Sequence, residues 1–418
     1  MKRCLLTSQG STGDIFPMIA VGAALREAGY TVAFATFPAF QKEIERAGLE
    51  FVSLPPDWQK EDLSRIMQGM YDHRGPARQL IYLYRTMGPH LPGVLKVLQP
   101  RVEEADVVLS SYLFPLGAFI PEFLRGKVYA VMAFAPNTVP CVDIPPDGVP
   151  VFRLAPTWLR KGWAQFMWKV ADVAMNRWIT KALRKSGGMP PDWKMRGFFK
   201  NPAPKVLVGV TPLLQQGTPQ DPERYVFTGY CRWQNAADPE LLEKVEAFCA
   251  NEEVPVVTFG SMVNEDPEET MGRFLRHWPI DRKVILQTGW SGFRLPTPQP
   301  HILLVGPANH DALFQRASLV VHHGGAGTTA SALHAGRPQI IVPHIADQPF
   351  FASEMERLGV GLTLPKDRWP ENLASAVAQV QGESRYAEKA KAIAGVLSKA
   401  RGPQEVVRVL EEMSLKRS

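Results

Sequence analysis

No run of apolar residues in this chain of 418 approaches the ~20 needed to cross a bilayer. The opening Met-Lys-Arg-Cys-Leu-Leu runs straight into a polar, glycine-rich turn at Ser8. That leaves no room for a signal-peptide core, so a cytoplasmic or membrane-surface location is expected. Cysteine is scarce. Cys4, Cys141, Cys231 and Cys249 are scattered and form no Cys-x-x-Cys pair, which reads as isolated thiols in a reducing compartment. There is no Walker-type Gly-x-x-x-x-Gly-Lys-Ser/Thr loop and no Gly-x-Ser-x-Gly elbow with a Ser–His–Asp order. The His322-His323 pair has no Cys, Asp or Glu at metal-ligand spacing beside it, so no metal is assigned to it. Segment 151–200 is poor in acid: Asp172 and Asp192 stand against eleven Lys or Arg.

What is present is the composition of a globular protein, 45% hydrophobic and 21% charged. The length argues for two domains. A net charge of +6 suits anionic ligands, a membrane surface or an ordinary basic exterior. Short apolar runs rich in Val, Ile and Leu alternate with helical stretches. Strands are expected at 4–8, 31–36, 51–54, 107–110, 128–134 and 206–210, and again at 256–259, 284–287, 302–305, 319–321 and 340–342. Continuous apolar runs of this kind mark parallel strands covered on both faces. Helices are expected at 18–28, 40–47, 239–250 and 349–358. The repeated order implies an α/β fold with two doubly wound parallel sheets. A polar, proline-containing stretch places a linker near 215–235. The domains are drawn as 1–220 and 221–395, with a charged helical tail, 396–418, that can pack back on the first domain. In 151–200, Trp158, Trp163, Trp168, Trp178 and Trp193 are interleaved with the basic residues. A helix lying on an anionic membrane fits this mixture, and so does a scaffold helix whose aromatics line a hydrophobic pocket. No nucleic-acid module is present, and no nucleic-acid partner is expected.

Four places carry chemistry. Residues 318–338 read as a strand, a turn with Gly324, Gly325 and Gly327, and a helix starting near Thr328 and ending at Gly336 before Pro338. Unpaired N–H groups and the helix dipole at such a start favour phosphate, and His323 beside it can donate a further hydrogen bond. The N-terminal turn, Ser8-Gln-Gly-Ser-Thr-Gly-Asp-Ile-Phe-Pro17, follows the first strand. Gly10 and Gly13 permit a tight turn, and Pro17 suits a first helical turn. Its spacing is not the dinucleotide fingerprint. Asp14 there reads either as a helix cap or as a general base at a strand's carboxyl end. Asp347-Gln348, after another strand, can hydrogen-bond a polyhydroxylated ligand. Ser261, after Gly260 at a strand end, can donate to phosphate.

Together these motifs resemble the family 1 nucleotide-sugar glycosyltransferases, over nearly the whole chain and most strongly over 3–55 and 253–362. The run His322-His-Gly-Gly-Ala-Gly-Thr-Thr329, with Gly336-Arg-Pro338 and Asp347-Gln348, looks like that family's donor signature. Gly13-Asp14-x-x-Pro17 looks like the subgroup of glycopeptide-antibiotic and sterol glycosyltransferases. The resemblance implies the GT-B fold, two facing Rossmann-like domains. It implies inverting transfer of a sugar, glucose or a deoxysugar, from a UDP- or TDP-sugar to a hydroxyl of a hydrophobic small molecule. Asp14 matches the base. Ser11, Ser261, His323, Gly325, Gly327, Thr328 and Thr329 match the diphosphate site. Asp347 and Gln348 match the sugar contacts, and Trp290 a position near the nucleotide. Two departures leave UDP or TDP open. Ser331 stands where many relatives carry a ribose-binding Glu, and Gly306-Pro-Ala-Asn-His310 replaces the plant-type base segment.

An ordinary Asp has a pKa of ~4 and is ionised at neutral pH, so Asp14 can take the acceptor proton without tuning. Fixed donors around the diphosphate make a cofactor or divalent metal unnecessary. Three other readings stay open: a membrane-surface sterol or lipid glycosyltransferase, a nucleotide-sugar epimerase or hydrolase of the same fold, and a non-catalytic helper.

Overall fold

The computed structural model describes residues 2–152, 154–234, 236, 238–260, 262, 264 and 266–416. The chain divides into two compact units. The first comprises residues up to Leu63, Gly75–Cys231 and the residues from Arg401 on; the second comprises Ser64–Arg74 and Arg232–Ala400.

The first unit is built on seven strands: β1 (Arg3–Thr7), β2 (Thr31–Thr36), β3 (Glu50–Ser53), β4 (Val107–Ser111), β5 (Val128–Ala133), β6 (Lys205–Val208) and β7 (Tyr225–Phe227). All pair in parallel in the order β3-β2-β1-β4-β5-β6-β7. Every residue of β4 and β5 is buried, as the unbroken apolar runs require of strands with helices on both faces. The order reverses between β1 and β4, and the crevice at such a switch point, outside the strands' carboxyl ends, is where open α/β sheets bind ligands.

The second unit has β8 (Val254–Thr258), β9 (Val284–Gln287), β10 (Ile302–Val305), β11 (Ala317–His322), β12 (Gln339–Ile341) and β13 (Gly361–Thr363). They form a parallel sheet in the order β10-β9-β8-β11-β12-β13. Its switch point lies between β8 and β11. Val256, Ile285, Val305, Val320, Leu313 and Phe314 pack one face of this core.

Four details of the strands and of the N-terminal turn differ from the sequence expectations. First, β7 lies beyond 220 and inside the stretch read as linker. It is a three-residue edge strand bonded to β6 alone, too short to leave a pattern. Second, β13 is likewise a three-residue edge strand that the reading missed. Third, the first helix runs over Thr12–Glu27 rather than starting at 18, so Pro17 sits inside it and not in its first turn. Fourth, Gly13 is an ordinary helical position; the turn's need for glycine falls on Gly10, where φ is +147° and an added Cβ would lie 2.2 Å from Asp14 Oδ2.

The helix Gly402–Leu415 packs against Thr12–Glu27 within the first unit. Segment 151–200 contains a single 29-residue helix, Thr157–Lys185. No helix among the described residues is long and apolar enough to cross a membrane.

Candidate functional site

In the first unit the site grows from the end of β1. Ser11 caps the helix Thr12–Glu27, its Oγ accepting from Gly13 N at 3.3 Å. Asp14 occupies the third helical position and reaches back, its Oδ2 accepting from Ser11 N at 2.9 Å and from Ser11 Oγ at 3.3 Å. The two side chains form a reciprocal capping box. Ser8 Oγ donates to the Asp14 carbonyl at 3.2 Å. Asp14 thus fills a capping position and still sits at the carboxyl edge of a parallel strand beside the switch point. Burial pushes its carboxyl up to about 6, and the bonds from Ser11 only partly offset this. The carboxylate is a stronger base than the ordinary Asp assumed from sequence, and it is still mostly ionised at neutral pH.

Several residues that the sequence reading passed over surround this edge. Thr7 Oγ1, Gln9 Nε2, Thr36 Oγ1, Ser111 Oγ and Tyr112 Oη are buried without a hydrogen-bond partner. They sit at or just past the carboxyl ends of β1, β2 and β4, which lie side by side in register. Unsatisfied buried polar atoms are costly and rare. Their place in the strand order was the one available signal.

In the second unit the donor-type residues gather at the other switch point. The helix after β11 is Ala326–His334, two residues earlier in its start than expected, and Gly325 is its N-cap. No side chain caps that end, so its first N–H groups are left for another acceptor. Gly325 lies so close to His323 that an added Cβ would stand 2.4 Å from the ring Nε2. Thr328 and Thr329 are buried in the first turn, and an added Cβ at Gly327 would meet nothing. Two buried polar atoms here have no partner, His323 Nδ1 and Thr329 Oγ1. Burial, and then the neighbouring imidazoles of His322, His344 and His310, hold His323 well below the usual range. It is therefore neutral, with one N–H to donate.

The adjacent His322 has a different job. Its Nδ1 accepts from Gly324 N at 3.0 Å, so its Nε2–H is the side that meets Gln339 Oε1 at 2.7 Å. It holds the glycine turn from beneath, buried and with its pKa lowered to about 4. Ser331 Oγ accepts from Gln234 Nε2 at 3.1 Å, and Gln234 Oε1 accepts from His310 N. At the place of the missing Glu, therefore, the chain carries a bonded Ser–Gln pair.

Asp347 is the N-cap of the helix Gln348–Leu358, with no side-chain cap bond. The preceding Ala346 is held at φ +54°, a costly backbone state for a residue with a Cβ and one that clusters at ligand-binding turns. Gln348 is buried, and its Oε1 accepts from His344 N at 2.7 Å and Ile345 N at 3.0 Å. That oxygen fixes the loop, leaving only the side-chain NH2 for further acceptors. Gln348 Nε2 also donates to Met262 Sδ, joining the loop after β12 to the one after β8. Trp290 N donates to Gly260 O at 2.9 Å, which joins the loops after β8 and β9. The structure thus brings His323, Gly325, Gly327, Thr328, Thr329, Trp290, Asp347 and Gln348 to one end of one sheet. Ser11 and Asp14 sit at the corresponding end of the other sheet. Ser261 lies outside the described residues.

Comparison with known proteins shows what the chain as a whole is similar to. Residues 4–91 match the glycosyltransferase family 28 N-terminal domain. Residues 294–413 match the erythromycin biosynthesis protein CIII-like C-terminal domain. The chain is 27% identical to the O-mycaminosyltylonolide 6-deoxyallosyltransferase of Streptomyces fradiae, over 98% of this chain and 97% of that one. It is 27% identical to the vancomycin aglycone glucosyltransferase of Amycolatopsis orientalis, over 94% of each. It is 28% identical to the sterol 3-beta-glucosyltransferase of Pichia angusta over its full length, but spans only 34% of that protein, about a third. Among solved structures, the spinosyn forosaminyltransferase SpnP superposes with a TM-score of 0.69 at 17% identity, covering 99% of both chains. The glycosyltransferase VinC, solved with dTDP, gives 0.66 at 17% identity, covering 99% of this chain and 100% of that one.

Proposed function

For a chain that belongs to the family 1 nucleotide-sugar glycosyltransferases, we propose inverting transfer of a hexose or deoxyhexose from a UDP- or TDP-sugar to the hydroxyl of a hydrophobic small molecule. The observation that carries this reading is the uncapped helix start at Gly325 with the unpartnered buried atoms His323 Nδ1 and Thr329 Oγ1 beside it. A diphosphate answers all three features at once: it accepts from the free N–H groups, from a neutral imidazole and from a threonine hydroxyl.

In the proposed step the Asp14 carboxylate takes the acceptor's hydroxyl proton. The acceptor oxygen forms a bond to the anomeric carbon on the face opposite the leaving group. The bond from that carbon to the diphosphate oxygen breaks, and its electron pair leaves with the nucleoside diphosphate. The growing charge is met by the helix start, His323 and Thr329, all fixed before the reaction, which is the condition under which such donors stabilise a transition state most. Asp347 and the NH2 of Gln348 are assigned to the sugar hydroxyls. Ser11 is assigned chiefly to fixing Asp14, because its hydroxyl is already spent on the capping box. The charge stabilisation is carried by protein donors, and we propose that the reaction needs no divalent ion.

The relatives named for O-mycaminosyltylonolide, vancomycin aglycone and a sterol favour a bulky alcohol as acceptor. A screen of UDP- and TDP-sugars against aromatic, terpenoid, sterol and macrolide alcohols, read by mass, tests the proposal. An acceptor gaining the mass of a sugar residue is the expected product. Donor consumed without any acceptor points to an epimerase or hydrolase, and nucleotide binding with no turnover points to a non-catalytic helper. Activity abolished by EDTA and restored by Mn²⁺ would refute metal independence.

A further inference from the structure

A folded protein hides most of its large apolar side chains, and this one leaves an unusual group of them in water. Thirteen large hydrophobic residues are exposed among the described residues, and nine of these fall between Val151 and Trp178. Scattered singly they would need no explanation, but gathered in one stretch they do. Val151, Phe152 and Leu154 lie just before the helix Thr157–Lys185, with Leu154 fully exposed. The helix buries Ala164, Trp168, Asp172, Met175, Ile179, Ala182 and Leu183 against its own unit. Its opposite side should therefore be polar. Instead Leu159, Phe166, Val170 and Val173 stand there, spaced seven, four and three residues apart, which places them on one face. Phe166 is 56% exposed and Trp158, near the helix start, 75%. Phe152, Trp163 and Phe166 form a chain of ring contacts with centroid spacings of 5.5 and 6.3 Å, so the loop and helix share one apolar surface.

The exposed charges of the helix itself are of one sign. Lys161, Lys169, Arg177, Lys181 and Lys185 are exposed along the same helix. The helix's single acidic residue, Asp172, is buried and accepts from Phe199 N and Asn176 Nδ2. A symmetric contact between two copies through this face would set like charges together with no acidic partner from the helix. An apolar stripe with aromatic residues and a lysine and arginine border suits the boundary between acyl chains and anionic headgroups.

We propose that the exposed apolar face of the helix Thr157–Lys185, with Val151, Phe152 and Leu154 before it, docks the protein on an anionic bilayer. The apolar side chains enter the headgroup boundary and the lysines lie over the phosphates. This does not depend on the proposed transfer reaction, because its test reads binding without turnover. The full chain is floated with vesicles of phosphatidylcholine, with and without phosphatidylglycerol. Flotation with the anionic vesicles alone, weakening as salt rises, is the expected result. Lys169→Gln with Lys181→Gln, which flank the apolar stripe, weakens partitioning about 25-fold, on the order of fivefold per charge. Phe166→Asp with Val173→Asp abolishes it, while circular dichroism and the thermal midpoint stay unchanged because both positions face water. Absence of flotation overturns the proposal. So does flotation that survives the aspartate pair. A concentration-dependent rise in mass that the aspartate pair removes, without flotation, would assign the face to a second copy of the chain.

Discussion

Replacing Asp14 with Asn separates the two roles that the residue fills. As a cap, Asp14 Oδ2 accepts from the Ser11 backbone and hydroxyl, and an amide oxygen can accept the same two bonds, though more weakly than a carboxylate, so the helix start survives. As a base, Asn is useless. Burial has raised the carboxyl from 3.8 to about 6. Both native and unfolded chains hold the proton below the unfolded value. Between there and about 6 the unfolded chain has released it and the folded chain has not, and above about 6 the folded chain carries the full cost of a charge it disfavours. At about 1.4 kcal/mol per pKa unit this cost approaches ~3 kcal/mol at neutral pH, as an upper bound. Asn removes it. The variant is therefore expected to unfold at the same or higher urea concentration than wild type at pH 7.5, the difference shrinking to nothing near pH 4. Its transfer rate is expected to fall by ~10²–10⁴, the usual contribution of a positioned base. Wild-type kcat/KM should drop as pH falls through about 6, and the variant's residual rate should lack that limb. The assays are urea titrations and initial rates across pH with one accepted donor and acceptor. A variant with lost stability and a parallel loss of rate would show Asp14 to be a cap alone. A variant with unchanged rate would refute its role as base.

Other expectations follow from the second unit. His323→Ala is expected to weaken UDP or TDP binding about 10- to 100-fold, the worth of one hydrogen bond to a charged group, as read by thermal shift or calorimetry. Gly325→Ala, whose Cβ would press on the His323 ring, should weaken the same binding while the protein stays folded. His310 and His322 are buried with their pKa values lowered to about 4. The unfolded chain takes up protons below about 6.5 that the folded chain refuses, so the unfolding midpoint should fall steadily as pH drops from about 6.5 toward about 4. His322→Ala leaves Gly324 N without its acceptor and should cost about 1–3 kcal/mol of stability in a denaturant titration.

The parts of the chain that were legible in sequence are those where one physical demand dominates. β4, β5 and β8 are buried along their whole length, so their apolar runs declare them. The two glycine turns declare themselves through positions where only glycine fits, Gly10 against the Asp14 carboxyl and Gly325 against the His323 ring. What stayed hidden depends on neighbours distant in sequence. β7 and β13 are short edge strands that exist because another strand receives them. His322 and His323 are the same residue type side by side; only the fold assigns one to Gln339 beneath the turn and leaves the other's Nδ1 without a partner. Gln348 looks from sequence like a sugar contact, yet its oxygen is consumed by the loop it follows. The rise in the Asp14 pKa could not be read from a turn alone, because it comes from what surrounds the carboxyl.

The central claim is a single displacement at the anomeric carbon with Asp14 taking the acceptor proton. The configuration of the product tests it most directly. With an α-linked UDP- or TDP-glucose as donor, the coupling of the anomeric proton in the purified product should be the large diaxial value of a β-glycoside. An α-glycoside, with its small coupling, would contradict a single displacement and the role given to Asp14.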